Sequence, residues 1–178
     1  LFNEKVIIKN LPRVKDIDTM ISLLKSLGSK ITLSKDKKTA KIINPKKMKT
    51  FASYSIVKKM RGSFLVLGPL VAKQKNSKCS LPGGCNLGAR PVNYHLEGLK
   101  KLGMSFRLKD GYILAKSKGK LKGTVITFPK ISVGVTSNLI IAACLAQSKT
   151  TLHGCATEPE IKDLTNFLNS AGAKIRWS

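Results

Sequence analysis

Pro91-Val92-Asn93-Tyr94-His95-Leu96-Glu97-Gly98-Leu99-Lys100-Lys101-Leu102-Gly103, followed by Ser105-Phe106-Arg107-Leu108, reads as an amphipathic helix, a stop and a strand. Leu96, Leu99 and Leu102 recur at helical spacing and form one apolar stripe. Gly103 suits a left-handed helix end, where a Cβ is penalised and glycine is not. The same unit occurs twice more. Upstream, Asp16-Ile17-Asp18-Thr19-Met20-Ile21-Ser22-Leu23-Leu24-Lys25-Ser26-Leu27-Gly28 precedes Lys30-Ile31-Thr32-Leu33. Downstream, Glu160-Ile161-Lys162-Asp163-Leu164-Thr165-Asn166-Phe167-Leu168-Asn169-Ser170-Ala171-Gly172 precedes Lys174-Ile175-Arg176-Trp177. One supersecondary unit recurring along a chain marks a repeat architecture.

A second kind of helix is expected between the copies, over Ser55 to Lys73 and about Val135 to Gln147. Both segments are apolar around most of their circumference and rich in small residues, as Leu65-Val66-Leu67-Gly68 and Ala142, Ala143 and Ala146 show. Such helices belong inside a fold. Val6-Ile7-Ile8, Ala40-Lys41-Ile42-Ile43, Tyr112-Ile113-Leu114 and Val125-Ile126-Thr127-Phe128 read as strands, and Gly111 and Lys122-Gly123 as turns. The pattern predicts an α/β domain of threefold-repeated strand–helix–strand–helix–strand units, with buried helices and outer sheets. No low-complexity segment or linker divides the chain, so residues 1–178 read as a single domain.

The 178 residues are enough to bury a core without staples. Their 42% hydrophobic content argues against global disorder. No apolar run reaches membrane-spanning length; the longest, Phe64 to Ala72, is interrupted by Gly68 and Pro69. The N-terminal residues lack the pattern of a signal peptide, and the absence of Met there suggests a cut inside a longer chain. Cys79, Cys85, Cys144 and Cys155 have neither a disulfide-framework spacing nor paired metal knuckles. Reduced thiols and a cytoplasmic setting follow as the default. Cys144, within Ile140-Ile141-Ala142-Ala143-Cys144-Leu145-Ala146, reads as a small core hydrophobe, and Cys79 and Cys155 as structural. The net charge of +24 comes mostly from scattered lysines, which reads as a solvated surface compatible with anionic ligands.

Chemistry is concentrated in Ser80-Leu81-Pro82-Gly83-Gly84-Cys85-Asn86-Leu87-Gly88-Ala89-Arg90-Pro91-Val92. Glycines allow positive φ and close backbone approach to a ligand. A cysteine on such a loop, ahead of a helix and near Arg90, is placed to have a lowered pKa. On composition alone a structural turn with an incidental thiol fits equally well. Neither a dinucleotide fingerprint nor a Walker loop is present.

Leu81 to Val92 resembles the signature loop of the UDP-N-acetylglucosamine 1-carboxyvinyltransferases. So, in the same order, do Asn10-Leu11-Pro12 with Asp16-Ile17-Asp18-Thr19, Lys59-Met60-Arg61-Gly62-Ser63 through Leu67-Gly68-Pro69-Leu70, Ser132-Val133-Gly134-Val135-Thr136 and Glu158-Pro159-Glu160-Ile161. The resemblance spans nearly the whole chain. It implies a fold of two inside-out α/β barrels, each a threefold repeat with helices inside. It implies enolpyruvyl transfer from phosphoenolpyruvate to the 3′-hydroxyl of UDP-N-acetylglucosamine with release of phosphate, the first committed step of peptidoglycan synthesis. Carried over residue by residue, Cys85 is the loop thiol that protonates or covalently holds phosphoenolpyruvate and is alkylated by fosfomycin. Arg61 and Arg90 clamp phosphate and carboxylate. Arg90, Pro91, Val92, Asn93 and Tyr94 border the uridine, and Lys130, Ser132, Val133 and Gly134 lie near the diphosphate. No cofactor or metal is implied. Asn93 replaces the usual Asp, a change expected to weaken a contact to the uracil. The family's early Lys-Asn pair and its second domain lie outside this sequence, which implies about half an active site.

Other readings stay open for individual residues. Arg61 also reads as a snorkelling side chain, Lys130 as solvated, His95 as a surface or core-edge histidine, and Glu158 and Glu160 as favouring a helix N-terminus. For the chain as a whole, the rivals are a sister enzyme acting on shikimate 3-phosphate, which should lack the Cys85 loop, a basic nucleic-acid-binding module, and a non-catalytic scaffold. The nucleic-acid reading lacks a motif and aromatic residues: only 6% of residues are aromatic.

Overall fold

A computed structural model describes residues 2, 4–82 and 92–178. In chain order the elements are β1 (Val6–Ile8), α1 (Lys15–Ser26), β2 (Lys30–Leu33), β3 (Ala40–Ile43), β4 (Phe51–Ala52), α2 (Tyr54–Val57), a 3-10 helix over Arg61–Val66, α3 (Leu67–Gln74) and β5 (Asn76–Ser80). They continue with α4 (Asn93–Lys101), β6 (Met104–Lys109), β7 (Tyr112–Ser117), β8 (Val125–Thr127), α5 (Val133–Ala143), β9 (Thr151–His153) and α6 (Pro159–Ser170). The fold is mixed α/β, and the sheets are open among the described residues.

The three amphipathic helices form at the three repeats; in α6 the buried face is Ile161, Thr165 and Leu168, and Phe167, expected in the apolar stripe with Leu164 and Leu168, is exposed. Each ends on its glycine: Gly28, Gly103 and Gly172 have φ of +105°, +96° and +96°. Their N–H groups donate to the carbonyls of Lys25, Lys100 and Asn169. A Cβ at Gly103 or Gly172 would meet nothing within 4 Å, so the demand for glycine is one of backbone conformation rather than space.

The chain divides into two units. The described residues of Leu1–Phe64, Asn76–Ala89 and Arg107–Leu114 make one. In it, β1 and β2 flank β3, both antiparallel, with Ile42 opposite Val6 and Ile31. α1 packs on β2 and α2 and buries Leu23 and Leu27. β4, β5, β7 and β6 are hydrogen-bonded in that order; β4 and β5 are parallel. On this sheet the Lys78 ammonium lies 5.2 Å from the Phe51 ring centre and 4.7 Å from that of Tyr112, so one lysine covers two exposed or half-buried rings.

Leu65–Lys75, Arg90–Phe106 and Ala115–Ser178 make the second unit, again in their described residues. Its centre is α5, which packs against α3, α4 and α6. Val135, Thr136, Asn138, Leu139, Ile140 and Ala142 of α5 are buried. Small residues set the helix spacing. A Cβ at Gly68 of α3 would run into the Asn138 side-chain oxygen and lie 3.2 Å from Ala142 Cβ. One at Gly98 of α4 would lie 2.5 Å from a Leu139 methyl. Helices can approach this closely only where side chains are absent.

Several expectations need correction. The helix expected over Ser55 to Lys73 is three pieces: α2, the 3-10 helix and α3. α3 starts at Leu67, which puts Pro69 in its first turn, where a missing N–H costs no intrahelical bond. The other apolar helix, expected to run to Gln147, ends at Ala143. Lys174 to Trp177 is not a strand. Asn169 occupies the Ile175 backbone instead: its amide donates to the Ile175 carbonyl at 2.9 Å, and its oxygen accepts from the Ile175 N–H at 2.8 Å. Gly111 does sit in a turn between β6 and β7, whereas Gly123 lies outside any turn, where a Cβ would run into the Ser148 and Lys149 carbonyls.

Candidate functional site

The start of α5 is built by Ser132. Its backbone is extended, with φ −153° and ψ 117°. Its hydroxyl accepts from the Val135 N–H at 3.4 Å, and its carbonyl accepts from the Thr136 N–H at 2.9 Å. The earlier N–H groups of a helix have no intrahelical acceptor, and the aligned peptide dipoles make that end positive. α5 has no acidic residue in its first turn. Neither has α4, whose last turn carries Lys100 and Lys101.

His95 joins these two helix starts. Its Cε1–Nε2 edge lies over Gly134, where an added Cβ would stand 3.6 Å from Cε1 and 3.7 Å from Nε2. On its other side, Nδ1 is 3.1 Å from the Asn138 amide nitrogen. The Asn138 oxygen in turn accepts from the Gly68 N–H at 3.1 Å. Thr136, fully buried one turn away, accepts from the Ala156 N–H at 3.0 Å. The result is a hydrogen-bonded junction of α3, α4 and α5 beside the first turns of α4 and α5.

Of the predicted residues, Val92, Asn93 and Tyr94 stand at the start of α4, and Ser132, Val133 and Gly134 at the start of α5. The packing of these two helices brings them together. Lys130 is exposed two residues before the cap. Arg61, exposed, opens the 3-10 helix and belongs to the other unit. Cys85, Arg90 and Pro91 lie outside the described residues. His95, read as surface or core-edge, is 9% exposed and belongs to the junction. Asn138 went unread; the signal was a lone amide inside an apolar run.

Burial pushes the Cys79 thiol up to about 12 and raises that of Cys144, so neither is a ready nucleophile at neutral pH. Cys79 is fully buried, as a structural cysteine should be. Cys144 is half-buried at the end of α5 rather than in the core. Among the described residues, no group of three or more His, Cys, Asp or Glu side chains could hold a metal. No helix among them is long and apolar enough to cross a membrane.

A two-unit α/β chain with strand–helix repeats, a buried helix and an acid-free pair of helix starts defines the class. The sequence profile of the EPSP synthase (3-phosphoshikimate 1-carboxyvinyltransferase) family matches residues 1–178, and the chain belongs to that family. The fold is that of solved members. The enolpyruvyl transferase NikO from Streptomyces tendae superposes with a TM-score of 0.81 at 17% identity, over 99% of this chain and 41% of its own. An EPSP synthase from Acinetobacter baumannii gives 0.76 at 18% identity, over 98% of this chain and 40% of its own.

Particular relatives are much more similar in sequence. The chain is 58% identical over 178 residues to the UDP-N-acetylglucosamine 1-carboxyvinyltransferase of Pelagibacter ubique, covering 100% of this chain and 42% of that protein. It is 47% identical over 175 residues to the enzyme of the same name from Dinoroseobacter shibae, again covering 42% of it. The chain thus spans about two fifths of the length of the curated relatives it matches.

Proposed function

We propose that this chain forms one enolpyruvyl-transferase domain that binds the nucleotide end of UDP-N-acetylglucosamine and presents the reactive thiol for phosphoenolpyruvate. The observation that carries this reading is the 58% identity along the whole chain to a protein named for that reaction. The similarity to a solved EPSP synthase is only 18%. That contrast, with the Cys85 loop, favours the UDP-sugar over shikimate 3-phosphate as acceptor.

The chemistry follows from the residues. The sugar 3′-oxygen adds to C2 of phosphoenolpyruvate while a proton is delivered to C3. A C3 proton and phosphate then leave, and the enol ether remains. Addition needs an acid near C3, and a thiol of suitable pKa on a glycine-rich loop can supply it or attack C2 itself. Cys85 takes that role, and Arg61 and Arg90 hold the phosphate and carboxylate, which planar guanidinium forks match bidentately. The diphosphate of the UDP-sugar sits at the acid-free starts of α4 and α5, where N–H groups and Lys130 favour an anion. Arg90, Pro91, Val92, Asn93 and Tyr94 border the uridine, and Ser132, Val133 and Gly134 the diphosphate.

On this reading the protein acts in the cytoplasm in cell-wall synthesis and is a fosfomycin target. The 178 residues supply about half the site; the rest belongs to the part of the relatives that this sequence does not match. Turnover depends on positioning two reactants together, so the 178-residue chain alone should release no phosphate from phosphoenolpyruvate plus UDP-N-acetylglucosamine. Fosfomycin with peptide mass mapping tests the thiol assignment: Cys85 should be labelled before Cys79, Cys144 or Cys155. First labelling at Cys79 or Cys144, or robust turnover by this chain alone, would overturn the reading.

A further inference from the structure

We propose that Asn138 is a positioning residue that fixes His95 in its neutral tautomer, with the proton on Nε2 facing the first turn of α5. A carboxamide has a donor end and an acceptor end, and its hydrogen-bond partners decide which way it points. Here a backbone group decides. The Gly68 N–H can only donate, and it lies 3.1 Å from the Asn138 oxygen. The acceptor end is therefore committed to α3, and the amide N–H₂ faces His95. That N–H₂ can only donate, so Nδ1, 3.1 Å away, must be the acceptor and carry no proton. A neutral ring with a bare Nδ1 bears its proton on Nε2, and Nε2 is on the edge that covers Gly134.

The chain of commitments is short and wholly buried. Asn138 is 0% and His95 9% exposed, so water does not compete for either amide end. Gly68 leaves no room for the amide to swing away, because even a Cβ there would collide with its oxygen. The lock thus needs three helices at once: Gly68 on α3, His95 on α4 and Asn138 on α5. His95 then keeps a neutral ring beside the two helix starts, where a bound diphosphate would meet its Nε2 edge. This consequence rests on the diphosphate reading given above.

The sequence has two histidines, so His153→Gln leaves a single imidazole to observe. Long-range ¹⁵N–¹H NMR of that imidazole in the full 178-residue chain reads the tautomer directly. The expected spectrum at neutral pH is that of Nε2–H with a bare Nδ1; a proton on Nδ1 would overturn the proposal. In Asn138→Asp, the ionised side chain offers acceptors alone, and the proton should move to Nδ1 or the ring become doubly protonated. An unchanged pattern in a folded Asn138→Asp would also overturn it. Should that variant not fold, Gly68→Ala, which displaces the amide oxygen, is expected to mix the tautomers, and an unmixed Nε2–H pattern there would count against the lock. UDP is then added to the chain carrying His153→Gln. Shifts of both the Val133–Val135 amides and His95 Nε2 support the positioning role. Shifts of the amides without Nε2 overturn that role and leave the diphosphate reading standing. Shifts of neither overturn the diphosphate reading, while the tautomer pattern still judges the lock.

Discussion

α5 and α6 lie in the same unit and pack against each other, yet their first turns are built for opposite ends. α6 begins with Glu158 at the cap, Pro159 next and Glu160 in the first turn. Its positive end is neutralised by its own side chains. α5 begins with Ser132 and carries no acid there. α1 resembles α6, with Asp16 and Asp18 in its first turn, whereas α4 resembles α5. Helix starts in this chain therefore come in two versions. α1 and α6 carry carboxylates of their own; α4 and α5, like the shorter α2 and α3, do not, and on the proposed reading an external anion takes that place at the adjoining starts of α4 and α5.

The largest expected effect breaks the packing that sets the pair side by side. Gly98→Val would drive a side chain into Leu139, which is fully buried and cannot retreat to solvent. Overpacking of this kind should cost about 2–3 kcal/mol, read as a lowered midpoint in thermal or urea unfolding. A midpoint within error of the parent would mean that α4 and α5 are not held as tightly as described.

Ser132→Asp separates stability from binding. Aspartate caps a helix about as well as serine, so the unfolding midpoint should hold or rise slightly. A carboxylate at the mouth of α5 should repel a diphosphate and lower UDP affinity roughly tenfold, equivalent to about 1.4 kcal/mol, in titration calorimetry. Undiminished affinity would detach the anion from this helix start. Glu160→Gln on α6 is the counterpart with the smallest effect. Losing one carboxylate at an exposed helix start should cost about 0.3–1 kcal/mol of stability and leave UDP affinity unchanged. A loss of UDP affinity there would erase the distinction between the two versions.

Much of this was legible from residue spacing because the signals are periodic. Leucine stripes closed by Gly28, Gly103 and Gly172 specify the outer helices locally, and the run from Val133 to Ala143 announces a buried helix by having no polar face. What periodicity missed depended on single residues and their particular partners, near or far in the chain. The break in the Ser55 to Lys73 segment follows from Pro69 seeking a first turn. Lys174 to Trp177 looks like a strand but loses its ladder because Asn169 reaches the Ile175 backbone first. For the candidate site, residues 92–94 and 132–134 are proposed because they resemble a family pattern. Asn138 went unread, because its role exists only when Gly68, 70 positions away, supplies the N–H that orients its amide.

Amide NMR of the 178-residue chain titrated with UDP-N-acetylglucosamine tests the central claim most directly. The account predicts that the N–H resonances of Val133, Gly134 and Val135 and of Asn93, Tyr94 and His95 move together along one binding curve. Those of Ile161 and Lys162 at the start of α6 should stay in place. Equal shifts at both sets, or shifts confined to α6, would contradict it.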